Sequence, residues 1–197
     1  MIMNKKELSN EFIKSIYAGL AIAMGGVVFL SCENKVVGSF LFSLGLISVL
    51  VFGFNLYTGK VCNKDYLKKP LNLLIIWVGN FIGAMVPVIL TFTKLSEVAA
   101  ASAATRLSKP LYMAFLDGIF CGFCIALAVK GYAKAEGVGK YLTVVLGVMM
   151  FILCGAEHCV ADMFYLVLGQ GDAVRTIVFL LVVTAGNTVG GALLSRI

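Results

Sequence analysis

The stretch CGAEHCVADMF, Cys154 to Phe164, sets the single histidine of the chain, His158, beside Glu157 and four residues before Asp162, all inside a long apolar run. An imidazole has an unperturbed pKa of about 6.5, so it can donate a hydrogen bond when neutral and hold or pass a proton when charged. Ionisable groups at membrane depth are costly unless they line a pathway or find partners. His158 is therefore the first candidate to meet a solute. The plainer alternative is a histidine satisfied locally by Glu157 or Asp162. A free carboxylate in an anion path would repel its cargo, so Glu157 is expected to cap backbone N–H groups or pair with a neighbouring span. Asp162, one turn beyond His158, is expected to be structural. No second histidine exists to complete a metal site, and no cofactor box accompanies the motif. The CGFC pair, Cys121 and Cys124, has no nearby histidine or acidic ligand and reads as packing.

A second polar interruption occurs in FGFNLYTGK, Phe52 to Lys60. Gly53, Gly59 and Gly155 allow the backbone to leave helical geometry at the two interruptions. A broken helix exposes N–H groups at the start of its second half, and these favour anions. Irregular backbone at membrane depth is tolerated only where it is buried in protein or lines a cavity. Both interruptions are thus candidate walls of a conduction path.

The elements that position them follow from composition. Of 197 residues, 60% are hydrophobic and only 13% charged, against about 25% charged in soluble domains. Apolar runs of roughly 20 residues, enough to cross a bilayer, recur along the whole chain. They predict one all-α integral membrane domain over residues 1–197 with six spans: about 12–30, 37–56, 71–92, 111–130, 141–168 and 174–194. Pro70 and Pro110 open the third and fourth spans, and the polar, alanine-rich stretch between those spans reads as a link. The net charge of +6 lies in short links, which argues against a nucleic-acid partner. No cleaved leader is expected, because the first apolar run is a full span. With the N-terminus placed in the cytoplasm, eleven lysines and arginines fall inside and five outside. The positive-inside rule then puts both termini in the cytoplasm of a multi-pass cell-membrane protein.

The two halves echo one another. VGNFIGAMV in the third span and AGNTVGGAL in the sixth both read G-N-x-x-G, around Asn80 and Asn187. The middle span of each half is the polar-interrupted one. Three-span halves, about 12–92 and about 111–195, must cross in opposite senses, the pattern of an inverted-repeat channel or transporter.

Taken together, GAEHCVADMFY, NLYTGK, WVGNFIGA, GNTVGGAL and PLYMAFLDGIFCGFCIALAVK resemble, in order and spacing, the signatures of the formate/nitrite transporter family. The resemblance covers nearly all of the chain. It implies an aquaporin-like fold with interrupted second and fifth helices, and a homopentamer with one pore per subunit. It implies small monovalent anions as cargo, in the class of formate, nitrite or hydrosulfide. His158 matches the central pore histidine, and Leu56, Tyr57 and Thr58 match the inner gating loop, where the family usually has Phe at position 57. Leu46 and Phe42 match the second-span constriction, and Ile125 and Phe151 match apolar positions around the outer one. Two departures leave room for a simpler anion such as hydrosulfide. Arg106 stands where the family has a lysine, with Lys109 nearby. Gly122 stands where it has an asparagine, which would take a hydrogen-bond donor from the pore wall.

The expected pathway is then a pore in which Arg106 and Lys109 concentrate anions at the outer mouth. Apolar rings strip their water, and His158 with Thr58 offers hydrogen bonds inside. A water, ammonia or glycerol pore would carry Asn-Pro-Ala boxes, and none of Pro70, Pro87 or Pro110 forms one. An enzyme would need a nucleophile-plus-base spacing, which is missing.

Overall fold

A computed structural model describes residues 5–196. The side chains of Lys5 and Lys6, counted above with the inner charges, lie outside that description. The described residues are all-helical: α1 (Lys5–Ser31), α2 (Lys35–Val51), α3 (Tyr57–Lys60), α4 (Lys64–Leu67), α5 (Pro70–Leu107), α6 (Leu111–Lys134), α7 (Gly139–Leu153), α8 (Cys159–Leu168) and α9 (Ala173–Ala192). Among them α1, α5, α6 and α9 are long and apolar enough to cross a bilayer. The second and fifth spans are each split, α2 from α3 and α7 from α8. Large apolar residues such as Leu44, Ile89, Leu90, Val174 and Leu181 face outward, as lipid contact requires.

One sequence expectation is corrected. The stretch after Phe92 is no link: α5 runs without interruption from Pro70 to Leu107, with Pro87 inside it. Alanine, leucine, lysine and glutamate dominate that stretch and are strong helix formers, so polarity marked only where the helix leaves the apolar layer. Arg106 therefore sits in the last turn of a rigid helix.

The helix packing repeats between halves. α1 packs on α5 and α2 as α6 packs on α9 and α7. The G-N-x-x-G strings lie at the two closest crossings. A Cβ at Gly83 would strike the backbone of Ile16, and one at Gly190 the backbone of Ile119, so only hydrogen fits there. Gly190→Val is expected to force α6 and α9 apart and cost about 1–3 kcal/mol or more, the range for overpacked cores. A clear drop in the thermal midpoint in detergent checks this. Gly139→Ala, whose added methyl meets only ordinary van der Waals distance, should leave the midpoint unchanged.

Both breaks are built alike. α2 and α7 end on Gly53 and Gly155 in left-handed backbone, at φ of 64° and 68°. Phe54 N–H then donates to Val49 O, and Ala156 N–H to Phe151 O, the Schellman closure that a glycine permits. Gly59, expected to share this role, instead lies within α3 with ordinary φ.

Candidate functional site

The two asparagines hold the breaks open. Asn80 Oδ1 accepts from Tyr57 N–H at 2.8 Å, and its Nδ2 donates to Ser15 O and Asn55 O at 2.8 and 2.9 Å. Asn187 Oδ1 accepts from Cys159 N–H at 2.9 Å, and its Nδ2 donates to Gly118 O and Glu157 O at 2.8 and 2.9 Å. Each amide thus satisfies the first N–H of the second half-helix and a carbonyl of the break itself, groups that no regular ladder reaches. By this correspondence Leu56 and His158 are equivalent residues, each the N-cap of its half-helix.

His158 is 2% exposed. Its Nδ1 accepts from Ala161 N–H at 3.1 Å, which caps α8, and its Nε2 lies 2.9 Å from Thr58 Oγ1. A Nδ1 that accepts carries no proton, so this network assigns the neutral ring with hydrogen on Nε2, donated to Thr58. Phe151 stacks on the imidazole with centroids 5.7 Å apart, and Phe42 meets Phe151 edge-on at 6.3 Å.

One cavity lies against this plug and a second lies further along α2. The first, of about 50 Å³, is walled by Phe29, Phe42, Phe151, His158, Arg106 and Asp162. That volume suits a few waters or a three-atom anion. The other, of about 180 Å³, lies against Leu46, Leu56, Phe54 and Lys60. Phe42 and Leu46, one turn apart on α2, face different cavities, so the narrow segment lies between them. Leu56 and Thr58 are both buried. Ile125 is buried but lines neither cavity.

Arg106 and Lys109 are both engaged by carboxylates. Arg106 Nε lies 3.1 Å from Glu157 Oε2 and 3.2 Å from Asp162 Oδ1. Its guanidinium also bonds Ser102 and covers the Tyr165 ring at 4.5 Å. Lys109 Nζ lies 2.6 Å from Asp117 Oδ2 and 2.7 Å from Glu157 Oε1, and donates to Gly155 O. Partial burial opposes the Lys109 charge, but the hydrogen bonds and charges of Asp117 and Glu157 outweigh it and hold its pKa above the ordinary lysine value. A raised lysine pKa contributes stability below the unfolded value of about 10.4 and loses it only as pH rises through the folded one. Lys109 is a cation throughout the neutral range.

The sequence reading placed Glu157 with a cap or a neighbouring span; the structure gives it the span partner, through Arg106 and Lys109. It missed Asp117, Ser102 and Tyr165. Asp117, an acid within the fourth span, was the available signal. Gly122 does not face either cavity: a Cβ there would strike the backbone of Asn187. Its lack of a side chain serves the α6–α9 crossing, and an asparagine at that position would not fit this packing. Tyr57 turns its hydroxyl to Thr188 Oγ1 at 2.8 Å, tying the first break to α9.

Comparison with known proteins gives a consistent match. Residues 3–197 match the family described as Formate/nitrite transporter. The chain is 25% identical over 189 residues to the formate channel FocA of Haemophilus influenzae, covering 80% of this chain and 66% of that protein. It is 25% identical over 203 residues to the nitrite transporter NirC of Escherichia coli, covering 89% and 75%. It superposes on a pentameric formate channel with formate bound at a TM-score of 0.85, with 25% identity and coverage of 97% and 95%. The chain spans just under two thirds of the length of the FocA formate channels of Haemophilus influenzae and Escherichia coli that it matches.

Proposed function

This chain belongs to the formate/nitrite transporter family, and from that premise we propose that it is a membrane pore for a small monovalent anion, one pathway per subunit of a homopentamer, with both termini cytoplasmic. The observation that carries the reading is the His158–Thr58 hydrogen bond, 2.9 Å long, which joins the two broken helices beside the enclosed cavity that His158 lines. An anion arriving from the Arg106 side meets apolar walls, Phe42 and Phe151, and one ring donor. Rotation of Thr58 frees the Nε2–H of His158 for the anion. Passage past Leu46 and Leu56 then crosses apolar surface, where a neutral conjugate acid loses far less hydration energy than its anion. A proton carried by the imidazole and handed to the anion lowers that cost; to take it up, Nδ1 must give up the Ala161 N–H.

The cations act differently from free attractors. Arg106 and Lys109 are neutralised locally: they offset the buried carboxylates rather than draw anions as free charges. Hydrosulfide remains one of the candidate cargoes together with formate and nitrite. Purified protein in liposomes, assayed side by side with the three anions and with glycerol, tests the reading. Flux of at least one anion above that of protein-free liposomes is expected, with glycerol excluded. Glycerol flux without anion flux would overturn it in favour of a neutral-solute pore.

A further inference from the structure

At the Arg106 end of the pathway the hydrogen bonds fall short by one donor. Asp162 Oδ1 takes the Arg106 Nε hydrogen at 3.2 Å, and Glu157 Oε1 lies 2.7 Å from Lys109 Nζ. The other oxygen of each carboxyl, Asp162 Oδ2 and Glu157 Oε2, is buried and has no hydrogen-bond partner among the described residues. Glu157 Oε2 lies 3.1 Å from Arg106 Nε, but the single hydrogen there points to Asp162. The Nη1 hydrogens serve Ser102. Both carboxyls approach the same guanidinium nitrogen and lie within hydrogen-bonding reach of each other.

The charges show the same shortfall. The pair is faced by Arg106 on α5, Lys109 in the turn before α6, Asp117 and Cys121 on α6, His158 and Cys159 at the break, and Tyr165 on α8. At the rim, Glu33 and Lys35 cancel. Three carboxylates, Asp117, Glu157 and Asp162, thus meet two cations. A proton on either member of the pair supplies the missing donor to the other's bare oxygen and removes the excess charge. Two adjacent carboxylates with little water are less stable than one acid beside one carboxylate.

We propose that Glu157 and Asp162 form a one-proton site in the wall of the pathway, filled from the solution on the Arg106 side, and that its occupancy decides whether an anion is admitted to the cavity beside His158. The proposal rests on the anion-pore reading above. Glu157 lines the open depression at the rim with Glu33, Lys35 and Lys109, and Asp162 lines the enclosed cavity. The pair therefore links solution to cavity. With the proton bound, the cluster is neutral and an anion enters. With it lost, one net negative charge faces the anion across a few ångströms of weakly screened space. The only bond made or broken is the carboxyl O–H; the proton comes from hydronium and returns to water.

Asp162→Asn tests this directly. The amide keeps an acceptor for Arg106 and offers an N–H to Glu157 Oε2, so two carboxylates meet two cations and the excess negative charge is gone. Wild-type formate flux into liposomes is expected to fall by roughly tenfold or more from mildly acid to alkaline external pH, whereas Asp162→Asn should keep most of its flux. Infrared difference spectra of the purified protein in ordinary and heavy water give a reading independent of transport. The wild type should carry the deuterium-sensitive carbonyl band of a buried carboxylic acid, absent from Asp162→Asn and from Glu157→Gln. Superimposable pH profiles for wild type and Asp162→Asn, or a wild type without that band, overturn the proposal. If the protein carries none of the three anions, the pore reading fails, and the infrared band alone decides whether the pair holds a proton.

Discussion

His158→Asn is expected to fold as the wild type does and to lose about 10- to 100-fold of its anion flux, because a hydrogen bond to a charged group is worth roughly 1.5–3 kcal/mol. Asparagine is the informative choice. His158 caps α8 through Nδ1, and an asparagine side-chain oxygen is among the best N-caps. The variant keeps the cap and removes the ring that faces Thr58 and stacks on Phe151. His158→Phe removes both and should lose flux and, through the missing cap, about 1 kcal/mol of stability. Flux measured in liposomes alongside thermal midpoints in detergent separates the two contributions. Unchanged flux in both variants at every pH would reject a central role for the imidazole.

The sequence carried the local features well. Gly53 and Gly155, apolar run lengths and the paired G-N-x-x-G strings announced two broken spans in two opposed halves, because each depends on backbone geometry within a few residues. What it could not carry was partnership across the fold. Nothing in GNTVGGAL says that Asn187 reaches the break at Cys159 or the carbonyl of Gly118. Nor does anything in the α5 stretch say that Arg106 meets Glu157 and Asp162. Polarity after Phe92 suggested a loop, although the residues there are helix formers, because a helix leaving the bilayer keeps its hydrogen bonds while its side chains turn polar. Gly122 was misjudged for a related reason. Alignment to a pore-lining asparagine says which residue type is usual, whereas the close approach of Asn187 says what space is left.

Asn187→Leu is the second large effect, and it falls on stability. Leucine fills similar volume but leaves the Cys159 N–H and the Glu157 carbonyl without partners. Both groups belong to the break, so no neighbouring helical bond can replace the lost one. A buried unpaired polar group costs about 1–3 kcal/mol, which makes roughly 2–6 kcal/mol for the two, against 5–15 kcal/mol for a typical whole domain. Lipid gives no compensating gain for the added apolar surface, since the site is enclosed by protein. The buried thiols of Cys62, Cys121, Cys124 and Cys159 are built-in reporters, and their reaction with a thiol-reactive dye on heating gives the unfolding midpoint in detergent. Asn187→Asp retains the acceptor for Cys159 but buries a carboxylate whose second oxygen faces the carbonyls of Gly118 and Glu157, so its midpoint should fall at least as far as that of leucine. Asn80→Leu should behave like Asn187→Leu, because its amide serves Tyr57 N–H and Asn55 O in the same way. Equal losses at the two sites would tie both breaks to one energetic design. A large loss at one and none at the other would mean that the inverted halves share geometry without sharing what holds it.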